Sequence, residues 1–287
     1  MAAGSRASTS RSRAIDEGSR RRNDPIPIVP NKVYALGDCA VLDGTLSWAP
    51  KLFRRFQRIN CFLLIEGGEA LLIDTGVPAH ASTVLFQLQR LLPPNAVLKV
   101  FLTRAELDAV ANLAAIREAY DVRFVMAGGS ANPFDGYNDV TARQGSSGCA
   151  LTVARTSEID LGSARQIRIV VPLLRFLPTY WPFDVATRTL FTSDAFGWTD
   201  QSRPDGVFTL SESADPLMRE SIEAHILQKF WWLPGSRTKD IKDDLVTIFD
   251  TLDPEFIAPG HGCILMGRDV IKRHVSLLLE LLDGYSL

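Results

Sequence analysis

Apolar runs and helical periodicities alternate along the chain from Ile26 onward. Short apolar runs bounded by turn-forming or charged residues indicate buried strands. Strands are predicted at residues 32–36, 61–65, 70–73, 98–102, 122–126, 167–173, 189–192 and 256–258. Helices are predicted after Pro78 and over residues 109–120, 214–232, 240–252 and 267–283. Because blocks of strands are followed by helices, the pattern predicts an α/β sandwich with helices on its outer faces.

Two details of this pattern concern the ends of elements. The sequence Glu66-Gly67-Gly68-Glu69 separates two apolar runs and predicts a hairpin turn. Asp108 precedes the predicted helix 109–120, in the place of an N-cap. The turn and the N-cap together indicate where the neighbouring strands end, and thus which residues lie at those ends.

The first 25 residues differ from the rest of the chain. They are rich in Ser, Arg and Gly and contain almost no large apolar side chain. Such a segment cannot bury enough surface to offset its ordering entropy, so residues 1–25 are predicted to be a disordered tail. They also lack the apolar region of a secretory signal. Residues 26–287 show no second linker and no internal repeat, which indicates a single domain.

Composition excludes several classes of protein. The 31 basic and 33 acidic residues give a net charge of −2, which argues against a nucleic-acid-binding protein. No apolar stretch reaches the roughly 18 residues that would span a membrane. The cysteines form no C-x-x-C pair, which excludes a disulfide scaffold or zinc knuckle and favours a reducing, cytoplasmic compartment. They are Cys39, Cys61, Cys149 and Cys263.

Acidic residues and one histidine follow four of the predicted strands. Asp74 ends one strand, and Glu106 and Asp108 lie between the next strand and its helix. Asp194 and His261 follow two later strands. Loops at strand ends often carry function, so these side chains are predicted to share one cleft.

In these segments the chain resembles the metallo-β-lactamase fold superfamily, and most of all the diiron domain of flavodiiron proteins. The resemblance covers residues 30–285. Its motifs are Ile-Asp-Thr-Gly at 73–76, Arg-x-Glu-x-Asp-Ala at 104–109, Tyr-Trp-Pro at 180–182, Leu-Phe-x-x-Asp-x-Phe-Gly at 190–197 and Ala-Pro-Gly-His-Gly at 258–262. The resemblance implies an αβ/βα four-layer sandwich of the metallo-β-lactamase type. It also implies a centre of two irons bridged by Asp194.

The chain departs from flavodiiron proteins at three histidine positions, and the resemblance makes two of them, now Arg104 and Tyr180, ligands of the first iron. Those proteins have His-x-Glu-x-Asp-His and His-Trp-Pro, whereas this chain has Arg104, Ala109 and Tyr180 in place of the histidines. The first iron site therefore keeps only Glu106 besides the bridging carboxylate. The second keeps Asp108, Asp194 and His261, a set that resembles the facial triads of non-haem iron.

The negative charge of the clustered carboxylates indicates what takes the place of the first metal. Two carboxylates ~4 Å apart repel by roughly 4 kcal/mol at an effective dielectric near 20. Arg104 carries a fixed positive charge, and we expect it to stand in for the first metal by pairing with Glu106. The pocket is then either metal-free, with Tyr180 hydrogen-bonded to another acid, or it holds one divalent ion, iron or zinc, on Asp108, Asp194 and His261.

Three functions follow from this ligand set. The favoured one is a non-redox binding or regulatory protein that recognises a small-molecule ligand or a protein partner. The second is a mononuclear metalloenzyme, either a hydrolase or a non-haem iron oxidoreductase, with Glu106, Asp108 and Tyr180 as candidate catalytic residues. The third is an iron-based sensor of O₂ or NO. The resemblance also implies a homodimer, and no flavodoxin domain is expected in the chain.

Other notable residues are expected to be structural. His80, His225 and His274 have no ligand-like spacing. The aromatic cluster at residues 230–234 is expected to pack in the core. Residues 51–58 mix bases and aromatic residues; a solvated loop is expected there, with contact to an anionic ligand or partner as the alternative.

Overall fold

The computed structural model describes residues 24–44, 46, 55–127, 149–150, 157–211 and 219–286. Most of the predicted N-terminal tail lies outside these ranges, as do residues 51–54 and the first part of the helix predicted at 214–232. No helix in the described ranges has both the length and the apolar character needed to cross a membrane.

The N-terminal half of the described chain forms a seven-stranded sheet in sequential order. Its strands are β1 (Ile26–Val29), β2 (Val33–Leu42), β3 (Arg55–Glu66), β4 (Glu69–Ile73), β5 (Val97–Leu102), β6 (Val122–Ala127) and β7 (Cys149–Ala150). Strands β1 to β4 pair antiparallel and β4 to β7 pair parallel. A 3₁₀ turn (Pro78–His80) and α1 (Ala81–Leu91) connect β4 to β5, and α2 (Leu107–Val110) and α3 (Leu113–Ala119) connect β5 to β6.

The C-terminal half forms a second seven-stranded sheet, in the order β12-β14-β13-β11-β10-β9-β8. Its strands are β8 (Glu158–Leu161), β9 (Arg165–Val170), β10 (Trp181–Asp184), β11 (Thr189–Ser193), β12 (Thr209–Leu210), β13 (Phe256–Pro259) and β14 (Ile264–Met266). Three helices accompany this sheet: α4 (Arg219–Lys229), α5 (Thr238–Leu252) and α6 (Arg268–Tyr285). The central pair β11 and β13 is parallel.

Three buried apolar layers hold the sandwich together. One lies between the two sheets, where the rings of Phe62 and Phe191 are 5.0 Å apart. A second packs the first sheet against α1, α2 and α3, and the third packs the second sheet against α4, α5 and α6. The architecture is therefore the αβ/βα four-layer sandwich that the resemblance implies.

The helix predicted at 109–120 is interrupted in the structure. It forms α2 and α3, because Thr75 captures the carbonyl of Ala109: the Thr75 amide and hydroxyl donate to it at 2.7 and 2.8 Å. Asn112 then ties the break to the loop after β4 through the Thr75 carbonyl at 2.8 Å. Asp108 is not an N-cap, so that prediction was wrong; it lies in the first turn of α2, and its side chain turns to the candidate site.

The prediction of a solvated loop at 51–58 was wrong for its second half. Residues 55–58 begin β3, which starts six residues earlier than predicted, and Gln57 and Arg58 are buried. The carbonyls of Gly197 and Thr199 accept from Gln57 Nε2 at 2.7 and 3.0 Å. These contacts explain how a strand with a polar N-terminal half lies inside the sandwich.

Candidate functional site

The four polar strand ends meet in one cluster between the two sheets. Tyr180 donates its amide to the Thr103 carbonyl at 3.0 Å, and Gly260 donates to the Ser193 carbonyl at 2.7 Å, so strand ends of both sheets are tied together. Asp108, Asp194 and His261 each present a ligand atom, and these atoms lie within 4.8 Å of one another. All three residues are buried. The structure thus brings together the three residues predicted as metal ligands.

Strained backbone forms the floor of this cluster. Asp74 and Ser193 have φ of 58° and 54°, the left-handed region that non-glycine residues rarely adopt. The Asp74 carboxylate accepts from the amide and the hydroxyl of Thr103, each at 2.7 Å. Ser193 Oγ lies 3.1 Å from Thr103 Oγ1. These bonds lock the ends of β4, β5 and β11 together.

The loop that carries His261 is held by β3 of the opposite sheet. The carbonyl of Gly260 accepts from the Asn60 amide, and the Gly262 amide donates to the Arg58 carbonyl, both at 2.8 Å. Asn60 Nδ2 donates to Pro259 O at 2.9 Å and to Gly262 O at 3.1 Å. The imidazole of His261 is consequently fixed in the cluster rather than carried on a free loop.

Arg104 occupies the centre of the cluster, and its side chain is only 1% exposed. Its Nε donates to Glu106 Oε2 at 2.6 Å, which is the pair predicted from the sequence. Its Nη2 forms an ion pair with Asp108, lies 3.0 Å from Asp194 Oδ1 and lies 3.4 Å from His261 Nε2. One guanidinium therefore contacts every carboxylate of the predicted site. Nη1 donates to Ser193 Oγ at 2.8 Å.

Lys229 is a second cation in the cluster, and the sequence analysis missed it. Its Nζ lies 2.9 Å from Asp194 Oδ1 and 3.3 Å from Glu106 Oε2. It is the last residue of α4, well outside the motifs at the strand ends. A lysine in the last turn of a helix is ordinarily explained by the helix dipole, so no sequence signal singled it out.

The two cations determine the ionisation of the buried acids. Burial alone would raise the pKa of Asp108, but Arg104 and the hydrogen bond with His261 outweigh it and hold this pKa well below its usual range. Burial likewise opposes Arg104 and Lys229 at Asp194, where the pKa is also lowered. For Asp74, burial prevails over Arg104 and Thr103 and raises the pKa to about 6. Burial would lower the pKa of Arg104, but the surrounding carboxylates raise it, so its guanidinium stays charged.

The residues present do not fit a two-metal centre. The resemblance to flavodiiron proteins implies two imidazoles at the first metal, where this chain has Arg104 and Tyr180, and Glu106 is engaged by Arg104 and Lys229. The donors for one ion, Asp108, Asp194 and His261, are all present, but Arg104 Nη2 lies among them within contact distance of each. A cation could bind there only if the guanidinium moved away.

Tyr180 does not take the role expected of it in a metal-free pocket. It is buried, and its ring packs edge-on against Phe101 with centroids 6.5 Å apart. Within the part of the chain that the structure describes, its hydroxyl makes no hydrogen bond with Glu106, Asp108 or Asp194. The expectation that Tyr180 binds one of these acids was therefore wrong, and the second polar group that contacts Glu106 and Asp194 is Lys229.

The other histidines lie outside the ligand cluster, although two support its surroundings. His225 Nε2 lies 3.1 Å from the Asp194 carbonyl, and burial lowers the pKa of His225 to about 4. The imidazole is therefore neutral near pH 7. Trp198 packs edge-on against His225 and donates its indole N–H to His274 Nδ1 at 2.9 Å. These contacts brace the backbone that presents Asp194.

Comparisons with known proteins agree with this fold and motif set. The family model described as ODP family beta lactamase matches residues 57–262. A search of curated proteins by sequence found no match. Solved structures with the same fold include rubredoxin:oxygen oxidoreductase from Desulfovibrio gigas, with 17% identity over 90% of this chain and a TM-score of 0.66.

Two further solved structures are similar to this chain. The flavodiiron protein from Giardia intestinalis has 13% identity over 91% of the chain and a TM-score of 0.63. The peroxy diiron species of the chemotaxis sensor ODP has 15% identity over 88% of the chain, with 91% of its own length covered and a TM-score of 0.56. The chain spans about three-fifths of the Desulfovibrio and Giardia proteins, with 61% and 59% of their lengths covered.

Proposed function

This chain belongs to the ODP family of β-lactamase-fold proteins, and from that premise we propose that it is a non-redox regulatory member in which ion pairs replace the dinuclear metal centre. It acts by binding a small-molecule ligand or a protein partner. The observation that supports this proposal is the position of Arg104, whose guanidinium contacts Glu106, Asp108 and Asp194 at once.

The charge arrangement imitates a bridged pair of metals. Three buried or half-buried carboxylates repel one another strongly and need compensating charge. Arg104 and Lys229 supply two positive charges, and both contact the same oxygen, Asp194 Oδ1, at 3.0 and 2.9 Å. Asp194 is the residue that the resemblance makes the bridging ligand between two irons. Ion pairs thus take over the structural role of the metals while offering no open coordination position.

A regulatory role is consistent with the family. One similar structure comes from a chemotaxis sensor, so the fold serves signalling in at least one relative. In this chain the strained strand ends at Asp74 and Ser193 lie beside the ion-paired centre, where ligand contacts can shift them. We propose a cytoplasmic location, which agrees with the buried thiols of Cys39, Cys61 and Cys263, none of which is joined to another described residue by a disulfide. We also propose a homodimer, by analogy with the family.

A second function rests on the donor set that remains. Asp108, Asp194 and His261 are close enough to hold one divalent ion, iron or zinc, once Arg104 has swung away. With iron the protein would be an O₂ or NO sensor or a non-haem iron oxidoreductase, and with zinc a hydrolase. Glu106 and Asp108 would then be the groups able to hold and move protons.

Metal content distinguishes the two proposals. The protein is expressed with iron, zinc and manganese available and purified without a chelator or a metal-affinity tag, and its metals are measured by elemental analysis. We expect no stoichiometric metal in the parent protein, and no change in the Asp194→Asn and His261→Ala variants. About one ion per chain, lost in both variants, would refute the ion-paired proposal and establish the mononuclear one.

Gain of metal provides the matched comparison. Arg104→His returns an imidazole to the position where flavodiiron proteins have one and removes the guanidinium from the donor set. We expect this variant to take up metal that the parent protein does not. If Arg104→His also stays free of metal while remaining folded, the donor set is unsuited to an ion for reasons other than Arg104, and the role assigned to its guanidinium fails.

A further inference from the structure

Arg58 is a buried arginine without a partner in the part of the chain that the structure describes. It lies in β3 and is only 3% exposed. Its Nε and Nη2 atoms are buried and donate no hydrogen bond, and no carboxylate of the described residues lies within ion-pair distance of its guanidinium. Two guanidinium nitrogens that are both buried and without a hydrogen-bond acceptor are rare inside a protein.

The other fully buried arginines show what this chain ordinarily does with such a group. Arg104 lies within ion-pair distance of four carboxylates, those of Asp74, Glu106, Asp108 and Asp194. Arg165 forms a two-pronged ion pair with Asp184, at 3.1 Å from Nε and 2.6 Å from Nη2. Arg58 alone among these three has no carboxylate of the described residues against it. This difference between Arg58 and the two paired arginines indicates that the negative charge that balances Arg58 comes from outside the described residues.

The polar neighbours of Arg58 do not supply that charge. Asp38 has the largest electrostatic effect of the carboxylates that act on Arg58, but it lies beyond ion-pair distance, and its Oδ1 accepts the Cys39 amide at 2.7 Å. Burial raises the pKa of the Cys61 thiol to about 12, so this sulfur is not an anion near pH 7. Cys39, which is paired with Arg58 across β2 and β3, is buried and forms no disulfide with another described residue.

We propose that Arg58 is the recognition group of a binding site for a small oxyanion, a carboxylate or a phosphate. A guanidinium presents its N–H groups as a planar fork that matches the oxygens of such anions. Burial lowers the pKa of Arg58, but an arginine stays protonated near neutral pH, so the positive charge persists. A bound oxyanion would satisfy the buried donors and neutralise this charge.

The site is distinct from the ion-paired centre but lies next to it along the backbone. The Arg58 carbonyl accepts the Gly262 amide, which follows His261, and Asn60, two residues further along β3, holds the same loop. The side chain of Arg58 contacts none of the clustered carboxylates. The proposal therefore does not depend on whether a metal binds at Asp108, Asp194 and His261.

Thermal unfolding with added anions tests the proposal. The probes are sodium phosphate and sodium acetate, each compared with sodium chloride at equal ionic strength in HEPES buffer. A ligand that binds only the native state at ten times its Kd raises the folding equilibrium constant about 11-fold. We expect a saturable rise of Tm with phosphate or acetate in the parent protein and none in Arg58→Met. Calorimetric titration of the same samples gives the Kd directly.

A matched control removes the effect of net charge. Arg55→Met deletes a half-buried arginine from the same strand, where it pairs with Asp200, and should keep the full response to the anion. Arg58→Lys retains the charge without the fork and should weaken binding at least ten-fold. The proposal is overturned if the parent protein shows no saturable response beyond that to chloride. It is equally overturned if Arg58→Met or Arg58→Lys responds as the parent does.

Discussion

The ammonium of Lys229 lies 2.9 Å from Oδ1 of Asp194, the oxygen that Arg104 also contacts at 3.0 Å. A single carboxylate oxygen thus joins two side-chain cations, one from the end of β5 and one from the end of α4. Both cations are largely removed from water, with side-chain exposures of 1% and 11%. Because screening by solvent is weak at such positions, the charges are tightly coupled to stability.

Replacement of Arg104 is predicted to destabilise the fold strongly. Arg104→Met removes the positive charge and keeps most of the side-chain volume. Asp108 and Asp194 stay buried, and Lys229, which contacts Asp194, is then the remaining lysine or arginine described in the cluster. Breaking a buried ion pair by removing one partner costs about 3–5 kcal/mol. Urea denaturation at pH 7 should show a loss of unfolding free energy of that size.

An exposed arginine provides the control for this measurement. Arg219 pairs with Glu280 at the surface, where both side chains are about half exposed, so Arg219→Met should have little effect. If Arg104→Met unfolds at nearly the same urea concentration as the parent protein, the carboxylates are compensated by something other than the guanidinium. The ion-paired description of the centre would then be wrong.

Lys229 and Asp194 are predicted to be energetically coupled. Lys229→Met leaves the carboxylate of Asp194 with less compensating positive charge. When Asp194→Asn is present as well, that negative charge is absent, so the loss of Lys229 costs less. The double variant should therefore lose less stability than the sum of the two single variants, by about 0.5–3 kcal/mol. A double-mutant cycle from urea denaturation measures this. Additive losses would show that the 2.9 Å contact does not persist in solution.

His225 is predicted to make the protein less stable as the pH falls from about 6.5 to 4. Burial lowers its pKa in the folded state to about 4, whereas the unfolded chain binds a proton near pH 6.5. Over this interval the unfolded state holds more protons, so stability decreases with falling pH, by up to about 3 kcal/mol. His225→Gln should flatten that part of the stability curve. Ring signals of His225 in NMR spectra that titrate near pH 6.5 would contradict the prediction.

Asp74 is predicted to act in the opposite direction. Its pKa is raised to about 6, chiefly by burial, so the folded state holds a proton that the unfolded state has lost. The contribution of Asp74 to the free energy of unfolding is about 3 kcal/mol. It is fully present below about pH 4 and is lost as the pH rises through 6. In Asp74→Asn this decline should disappear while the acceptor for the Thr103 amide is retained. An unchanged decline between pH 4 and 6 would assign it to another group.

The sequence predicted the layers of the fold well because most strands are uniformly apolar. It missed β10, where Pro182 follows Trp181 in the interior of the second sheet. Proline in a strand argues against a central position because it lacks a donor. The pairing of β10 with β11 begins at Phe183. Pro182 lies before it, so its missing N–H leaves the Phe183 and Asp184 pairs with β11 intact.

The site was predicted in part, for a similar physical reason. Asp108, Asp194 and His261 follow strands whose ends converge, and their order along the chain identified them. Lys229 reaches the cluster from a helix of another layer, and Arg58 stands in a strand whose polar residues looked like a loop. The burial of Lys229 and of Arg58 depends on contacts with residues far away in the sequence. The local pattern of apolar and polar residues does not reveal such contacts.

Gly262 is predicted to be indispensable to the loop that carries His261. Its φ is 83°, and a Cβ there would lie 2.7 Å from the Thr199 carbonyl oxygen, which belongs to the backbone and cannot give way. Gly235 has a φ of 80° but no atom within 4 Å of its Cβ position, so Gly235→Ala has the same conformational strain without the collision. Gly262→Ala should therefore lose clearly more stability than Gly235→Ala, and NMR signals of His261 should shift only in the former. Equal losses in the two variants, with His261 unmoved, would show that the loop adapts and that β3 does not fix it.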